Sequence, residues 1–237
     1  MSEGLKLEGV SAGYGRIRAI TDISFSVAPG QRIGILGRNG AGKTTTLATI
    51  MGLTTLQQGR ISFEGRNLDQ ETTFNRNRRG IGYVPQGREI FPSLTVEENL
   101  LAASTGDPSA ALEAAYAQFP RLKERRRNGG RQLSGGEQQM LAVARTLVTN
   151  PSYLLLDEPL EGLAPQIRDE LMDAIRAMTE KRGLACVLVE QHVDAVFAFA
   201  ETVIVLENGR IIFTGPATEL RENVDLLDQA IGLRKTH

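Results

Sequence analysis

Eight consecutive residues, Gly37-Arg38-Asn39-Gly40-Ala41-Gly42-Lys43-Thr44, constrain this chain more than any other stretch. A short apolar run at 32–36 precedes them, and a helical pattern runs from about Lys43 to Met51. Glycines in such a strand-to-helix turn let main-chain N–H groups face one point without Cβ clashes. The helix N-terminus adds unpaired donors and the positive end of the peptide dipole. Lys43 contributes a full charge for β and γ phosphates, and Thr44 a hydroxyl for Mg²⁺. With Thr45 beside them, Gly37, Asn39, Gly40, Ala41, Gly42, Lys43 and Thr44 are the expected phosphate-binding residues. The flanking strand and helix separate this pattern from a chance match in a glycine-rich turn. A purine nucleoside triphosphate is the expected ligand.

Tyr153-Leu154-Leu155-Leu156-Asp157-Glu158 supplies the companion. A buried strand here delivers Asp157 at its C-terminal end, where α/β sheets place ligands. Asp157 is then positioned to hold Mg²⁺ through its water shell, and Glu158 to orient or deprotonate an attacking water. Two acids at a strand end are, alone, an ordinary solvated terminus. Beside a phosphate loop they read as a metal ligand and a base.

The rest of the chain supports an α/β frame. Strand patterns fall at 5–10, 23–27, 32–36, 60–63, 81–84, 153–156, 184–189, 202–206 and 210–213, with a hairpin signal at Glu64-Gly65. Helical patterns fall at 96–103, 110–119, 136–149, 165–181 and 193–200. Strands alternating with helices predict an α/β sheet, interrupted by a helical insert near 88–150. From Thr218 onward, Leu220, Val224, Leu227 and Ile231 share one helical face, as expected of a terminal helix packed on the core.

Composition removes several classes. A chain of 237 residues, 41% hydrophobic, buries roughly 70% of its extended-chain surface on folding. No apolar run approaches the ~18–20 residues that a membrane-spanning helix needs. The formal net charge of −1 argues against general nucleic-acid binding. One cysteine, Cys186, excludes internal disulfides and cysteine-rich zinc sites, and its apolar neighbours mark it as an inert core residue. The opening residues lack the long apolar stretch of a secretion signal, so a cytosolic setting is expected. The run Arg121-Leu122-Lys123-Glu124-Arg125-Arg126-Arg127, with Arg131, has no interleaved aromatics and reads as a charged helix face near a membrane surface.

Leu133-Ser134-Gly135-Gly136-Glu137 opens the last helix of the insert. Ser134 with Glu137 three residues later has capping-box spacing. Two glycines in a first turn, however, weaken a helix by roughly 1 kcal/mol each. They also bare the backbone for an anion. Nothing in the local sequence demands that weakness, which favours a functional role for Ser134, Gly135 and Gly136.

Phosphate loop, LSGGE segment and LLLDEP strand, in this order, resemble the ATP-binding cassette (ABC) ATPases over residues 5–215. The resemblance implies a P-loop NTPase core with a mixed sheet, an N-terminal antiparallel β subdomain and an inserted α-helical subdomain. One ABC ATPase domain would then fill residues 1–237: core 1–87 and 151–217, signature subdomain 88–150 and C-terminal helix 218–237. It implies ATP and Mg²⁺ as cofactors and a head-to-tail dimer, with a second ABC ATPase or with itself. In that dimer the signature of one subunit meets the nucleotide held by the other. Tyr14, in Gly13-Tyr14-Gly15, resembles the aromatic residue that stacks on adenine. Gln86, in Tyr83-Val84-Pro85-Gln86, resembles the glutamine that touches Mg²⁺ and the attacking water. The family's switch histidine aligns with Gln191, one residue before His192, and either is positioned to contact the γ-phosphate. Ala164 stands where many relatives carry aspartate, so cross-dimer communication there needs the backbone or other groups.

Tyr83-Val84-Pro85-Gln86-Gly87-Arg88, Glu161-Gly162-Leu163-Ala164-Pro165 and Val189-Glu190-Gln191 resemble the smaller ATPase of bacterial branched-chain amino-acid importers. The Glu161-Gly162 pair and the residues Pro85 to Pro92 are similar to the urea and short-amide branch as well. Single-cassette ATPases for lipid or lipopolysaccharide export also look similar. Each resemblance implies transmembrane permease partners, no nucleic acid, and a peripheral position on the cytoplasmic face of the inner membrane. Ile90, Phe91 and Leu94, directly after Gln86, are expected to leave an apolar surface for a permease helix. A translation or DNA-repair cassette fits poorly, because no long heptad run separates Lys43 from Ser134.

Overall fold

The computed structural model describes residues 4–231. The chain begins with β1 (Leu5–Tyr14), β2 (Ile17–Val27), β3 (Arg32–Leu36), α1 (Lys43–Ile50), β4 (Thr55–Phe63), β5 (Arg66–Asn67), α2 (Thr73–Arg78) and β6 (Ile81–Val84). Helices α3 (Val96–Ala103), α4 (Pro108–Gln118), α5 (Pro120–Glu124) and α6 (Gly135–Leu147) follow without an intervening strand. The chain then alternates through β7 (Tyr153–Asp157), α7 (Pro165–Arg182), β8 (Ala185–Val189), α8 (Val193–Phe199), β9 (Thr202–Glu207) and β10 (Arg210–Pro216). Helices α9 (Ala217–Glu222) and α10 (Val224–Ile231) end the described chain.

Two sheets form. An antiparallel sheet has the order β2-β1-β4-β5. The second is mixed, β10-β9-β3-β8-β7-β6, parallel throughout except for β10 at its edge. Alternate residues of the central strands face opposite sides, so two apolar cores result. Leu154, Leu156, Cys186 and Leu188 face the side covered by α6, α7, α8 and the helical insert. Leu155, Val187 and Val189 face α1 and the antiparallel sheet, meeting Leu47, Ile50, Leu7 and Phe63. Helix α1 is therefore clamped between the sheets. Each fully buried Leu or Ile there stabilises the clamp by about 1.5–3 kcal/mol. Tyr153 ties the layers together, with its ring edge-on to Phe63 at 5.0 Å and its hydroxyl donating to Val27 O at 3.2 Å.

The hairpin at Glu64-Gly65 forms with φ positive at both residues, as a tight turn between twisted strands requires. Three expectations change. Strands β1 and β2 extend to Tyr14 and Ile17, beyond the clean alternation, because the small residues Ser11, Ala12 and Gly13 stay buried without showing an apolar period. The basic run is not one helix: α5 ends at Glu124, and Arg121 and Arg125 pair with Glu170 and Glu137. The tail forms two helices, broken at Asn223, whose side chain accepts from Leu226 N at 3.1 Å. Leu220 is buried, whereas the side chains of Val224 and Ile231 and all of 232–237 lie outside the described residues.

Candidate functional site

Four parallel strands in the order β3-β8-β7-β6 end on the same edge of the sheet. Their C-terminal ends release residues 37–44, 190–192, 158–163 and 85–89, so loops distant in sequence lie side by side. The phosphate loop joins β3 to α1. Gly42 is the N-cap of α1 at φ 103°, a left-handed conformation that glycine alone adopts freely. No side chain caps this helix and no acid lies in its first turn, so its leading N–H groups and dipole face the loop unneutralised. At the other end Arg76, buried, donates to Thr49 O, Ile50 O and Leu68 O, which holds the helix C-terminus in place.

A cavity of 330 Å³ opens over this helix start. Asn39, Gly40, Gly42, Lys43, Thr44 and Thr45 line it together with Gln86, Glu158 and Gln191. Gly37 and Ala41 are part of the loop beneath, and Lys43 Nζ donates to Gly37 O at 2.9 Å and Arg38 O at 3.3 Å. The same ammonium pairs with Glu158 at 3.2 Å, both side chains being at least nine-tenths buried. Thr44 Oγ1 donates to Asp157 Oδ1 at 3.1 Å, and the Tyr83 hydroxyl to Asp157 Oδ2 at 3.3 Å. Burial pushes the Asp157 carboxyl up to about 6, with Thr44 and Tyr83 opposing the shift and the Glu158 charge adding to it. Burial likewise raises the Tyr83 phenol, with Asp157 adding to the effect.

Hydroxyl and carboxylate oxygens side by side make a hard donor set suited to Mg²⁺, and a dication there would favour the ionised Asp157. Among the described residues no cluster of three or more His, Cys, Asp or Glu could hold a metal ion. Mg²⁺ does not need one, since it is commonly held by one or two protein oxygens plus phosphates.

Glu158 follows β7 at φ 48°, uncommon for a residue with a Cβ. Its N–H donates to Val189 O at 2.9 Å, continuing the β7–β8 ladder past the last strand pair. Two amides converge on its carboxylate: Gln191 Nε2 at 2.7 Å and Gln86 Nε2 at 3.4 Å. Gln86 Nε2 also reaches Glu161 at 2.7 Å. Carboxylates only accept, so these contacts fix the amide with nitrogen toward the acids and oxygen away from them. His192, the N-cap residue of α8, makes no side-chain capping bond, and it is Gln191 whose amide contacts Glu158. Tyr14 ends β1 half-exposed, outside the residues lining the cavity.

At the start of α6 the capping box forms: Glu137 N donates to Ser134 Oγ, and Ser134 N to Glu137 Oε2. Gly136 also has a packing reason. A Cβ on Gly136 would stand 2.6 Å from Ile167 Cγ2, whereas one on Gly135 would meet only the flexible end of Arg88, at 3.0 Å. These are contacts of the fold, which no local pattern reveals. Ser134, Gly135 and Gly136 do not line the cavity over Lys43.

Three features escaped the sequence reading. Glu161 holds Gln86. Glu190, 1% exposed, receives main-chain hydrogen bonds from Leu160 and Gln191. The tight turn Asn208-Gly209 supports the phosphate loop through Gly209 N to Ala41 O at 3.0 Å. Asn-Gly between two apolar runs was a legible signal for the last of these. The two glutamates lie in segments that carry the resemblance, but their hydrogen-bond partners are brought in by the sheet and leave no local signal.

Residues 20–161 match a family model described as ABC transporter. The chain belongs to the ABC transporter family. As an ABC ATPase it binds and hydrolyses ATP. It is 38% identical over 232 residues to the high-affinity branched-chain amino acid transport ATP-binding protein BraG of Pseudomonas aeruginosa, covering 96% of this chain and 99% of that one. It is 34% identical to the lipopolysaccharide export system ATP-binding protein LptB of Haemophilus influenzae, covering 89% and 90% respectively. Among solved structures, a nucleotide-free ATP-binding cassette from an ABC transporter superposes with TM-score 0.85 at 25% identity, covering 99% of this chain and all of that one. That cassette fold agrees with the P-loop core, mixed sheet and antiparallel N-terminal sheet described above.

Proposed function

We propose that this chain is the ATP-hydrolysing subunit of a membrane importer for branched-chain amino acids or related small polar solutes. It would act as half of a head-to-tail ATPase dimer. One observation carries the mechanistic part: Lys43, Thr44, Gln86, Glu158 and Gln191 line one cavity, while Ser134–Gly136 do not. The chain thus presents a phosphate site and a signature segment in different places, and a second ATPase, or a second copy, brings a signature to the nucleotide.

In this reading the polyphosphate lies on the N–H groups of α1, and the γ-phosphate replaces Glu158 as the partner of Lys43. Thr44, Asp157 and the Gln86 oxygen would hold Mg²⁺, which would supply charge neutralisation to the polyphosphate. Glu158, freed from Lys43, accepts a proton from water. The water oxygen attacks the γ-phosphorus, and the bond to the β–γ bridging oxygen breaks to give ADP and phosphate. Gln191 steadies the Glu158 carboxylate and faces the same phosphate, Ser134 of the opposing subunit donates its hydroxyl, and Tyr14 stacks on adenine. Binding one triphosphate across two surfaces favours the closed dimer, which is the differential affinity a population shift requires. Hydrolysis reopens it.

The permease contact is proposed at residues 88–94. Phe91 is 45% exposed beneath the Arg145 guanidinium, 4.3 Å from the ring centre, and Asn99 pins the loop through Phe91 N and Phe91 O. Among the described residues no helix is long and apolar enough to cross a membrane. Peripheral attachment through permeases on the cytoplasmic face is accordingly part of the proposal, as is the division into core (1–87, 151–217), signature insert (88–150) and C-terminal segment.

The likeness to BraG over nearly the whole chain supports the amino-acid reading. Likeness to LptB supports lipopolysaccharide export as the second reading, and the Glu161-Gly162 pair keeps urea or short amides within the importer reading. Purification of the tagged chain from its own membranes with ATP and Mg²⁺ separates them. Two permeases with a second cassette ATPase are expected. A lipid-export permease without a second ATPase would overturn the importer and leave the ATPase roles standing.

A further inference from the structure

Glu190 is a carboxylate that hydrolysis, as set out above, does not use. It follows β8, is 1% exposed, and its two oxygens face different loops. Oε1 accepts from Leu160 N at 2.8 Å, in the segment that follows Glu158. Oε2 accepts from Gln191 N at 3.2 Å. Its own N–H donates to Ile35 O, at the end of β3, at 3.3 Å. The ladder between β7 and β8 ends with Asp157 opposite Val189, and Glu158 N to Val189 O is the next rung. The Glu190 side chain supplies what the backbone no longer can, one rung further out.

A buried carboxylate without a cation beside it is expensive unless main-chain donors hold it. Burial here pushes the carboxyl up to about 7, while the amides of Leu160, Gln191 and His192 pull the other way. A leucine or threonine would fill such a position at less cost. What a carboxylate adds is two acceptors on one rigid plane, so it sets the spacing of two loops at once. Across that spacing Gln191 Nε2 meets Glu158 Oε2 at 2.7 Å.

We propose that Glu190 is a positioning residue for hydrolysis: as a double acceptor it holds the Leu160 and Gln191 backbones at the separation that sets the Gln191 amide against the Glu158 carboxylate. This rests on the role proposed above for Gln191 and adds the residue through which that role is set. Glu190→Gln tests it, since the side chain keeps its size but turns one acceptor toward a main-chain N–H into a donor. In the complex purified from membranes, kcat should fall about tenfold or more while ATP affinity stays within about twofold. Glu190→Asp, which keeps both acceptors on a shorter arm, should recover part of kcat. It also serves as the readout if the glutamine variant does not fold.

The deciding measurement is the cycle with Gln191→Ala. If Glu190 acts through Gln191, Glu190→Gln lowers kcat little further in the Gln191→Ala background. Unchanged kcat in Glu190→Gln, or effects that multiply in the double variant, would overturn the proposal while leaving Gln191 in place. Full turnover by Gln191→Ala alone would overturn both.

Discussion

Glycine stands at the start of both α1, as its N-cap Gly42, and α6, as its first residue Gly135, yet the two starts differ in what governs anion binding. Gly42 caps α1 with no side chain, no acid stands in its first turn, and Lys43 adds a positive charge. Ser134 caps α6 inside a complete capping box, with Glu137 in its first turn already accepting from the backbone. The first start is incomplete without an anion. The second is satisfied within its own chain and still has the Ser134 hydroxyl hydrogen to give. A phosphate site that binds alone and a signature that acts only on an approaching partner would be built in these two ways.

Lys43→Ala should separate the two most widely. Removing the Lys43 ammonium from the α1 start is expected to weaken nucleotide binding by two orders of magnitude or more, measured by calorimetry. Retained affinity would mean that the helix terminus suffices. Glu158→Gln comes next: ATP should bind as before while turnover falls at least a hundredfold, and wild-type turnover would remove Glu158 as the base. On the α6 side, Gly136→Ala should destabilise the fold by about 1–3 kcal/mol, because the new methyl meets Ile167. Chemical denaturation with no loss would return Gly136 to a purely ligand-binding explanation.

The smallest effect concerns pH. The Glu190 and Asp157 carboxyls lie near 7 and 6 in the fold, above their ordinary values of 4.5 and 3.8. Folding therefore takes up protons between those limits. Their contribution to stability is full below about pH 4 and is lost as the pH rises through 6 and 7. Unfolding measured at pH 5.5 and pH 8 should show this gain on acidification. In Glu190→Gln the gain should shrink by on the order of 1–2 kcal/mol. An identical pH slope in the variant would place the proton elsewhere.

The α1 start was legible in the sequence because all its determinants are consecutive: strand, glycines, Lys43, Thr44. Asp157 and Glu158 were legible because a strand delivers them together. The partners of Glu158 were harder. Gln86 and Gln191 came from resemblance, and only the order β3-β8-β7-β6 shows why their amides converge. The structure sets Gln191 against Glu158 at 2.7 Å, a contact that resemblance alone did not reveal. The packing reason for Gly136 was hidden because Ile167 lies 31 positions further on, a contact of the fold rather than of any period. The hydrogen-bond roles of Glu161 and Glu190, residues the resemblance had already picked out, were hidden for the same reason.

The sharpest test of a signature that works only in trans is ATP binding by the isolated Ser134→Arg chain, set beside turnover of the membrane-purified complex carrying the same change. ATP affinity within about twofold of the unsubstituted chain, with turnover in the complex lost, is the predicted result. A tenfold loss of affinity in the isolated chain would place Ser134 at its own nucleotide, and full turnover in the complex would remove it from the reaction. Either would contradict the division of labour between α1 and α6.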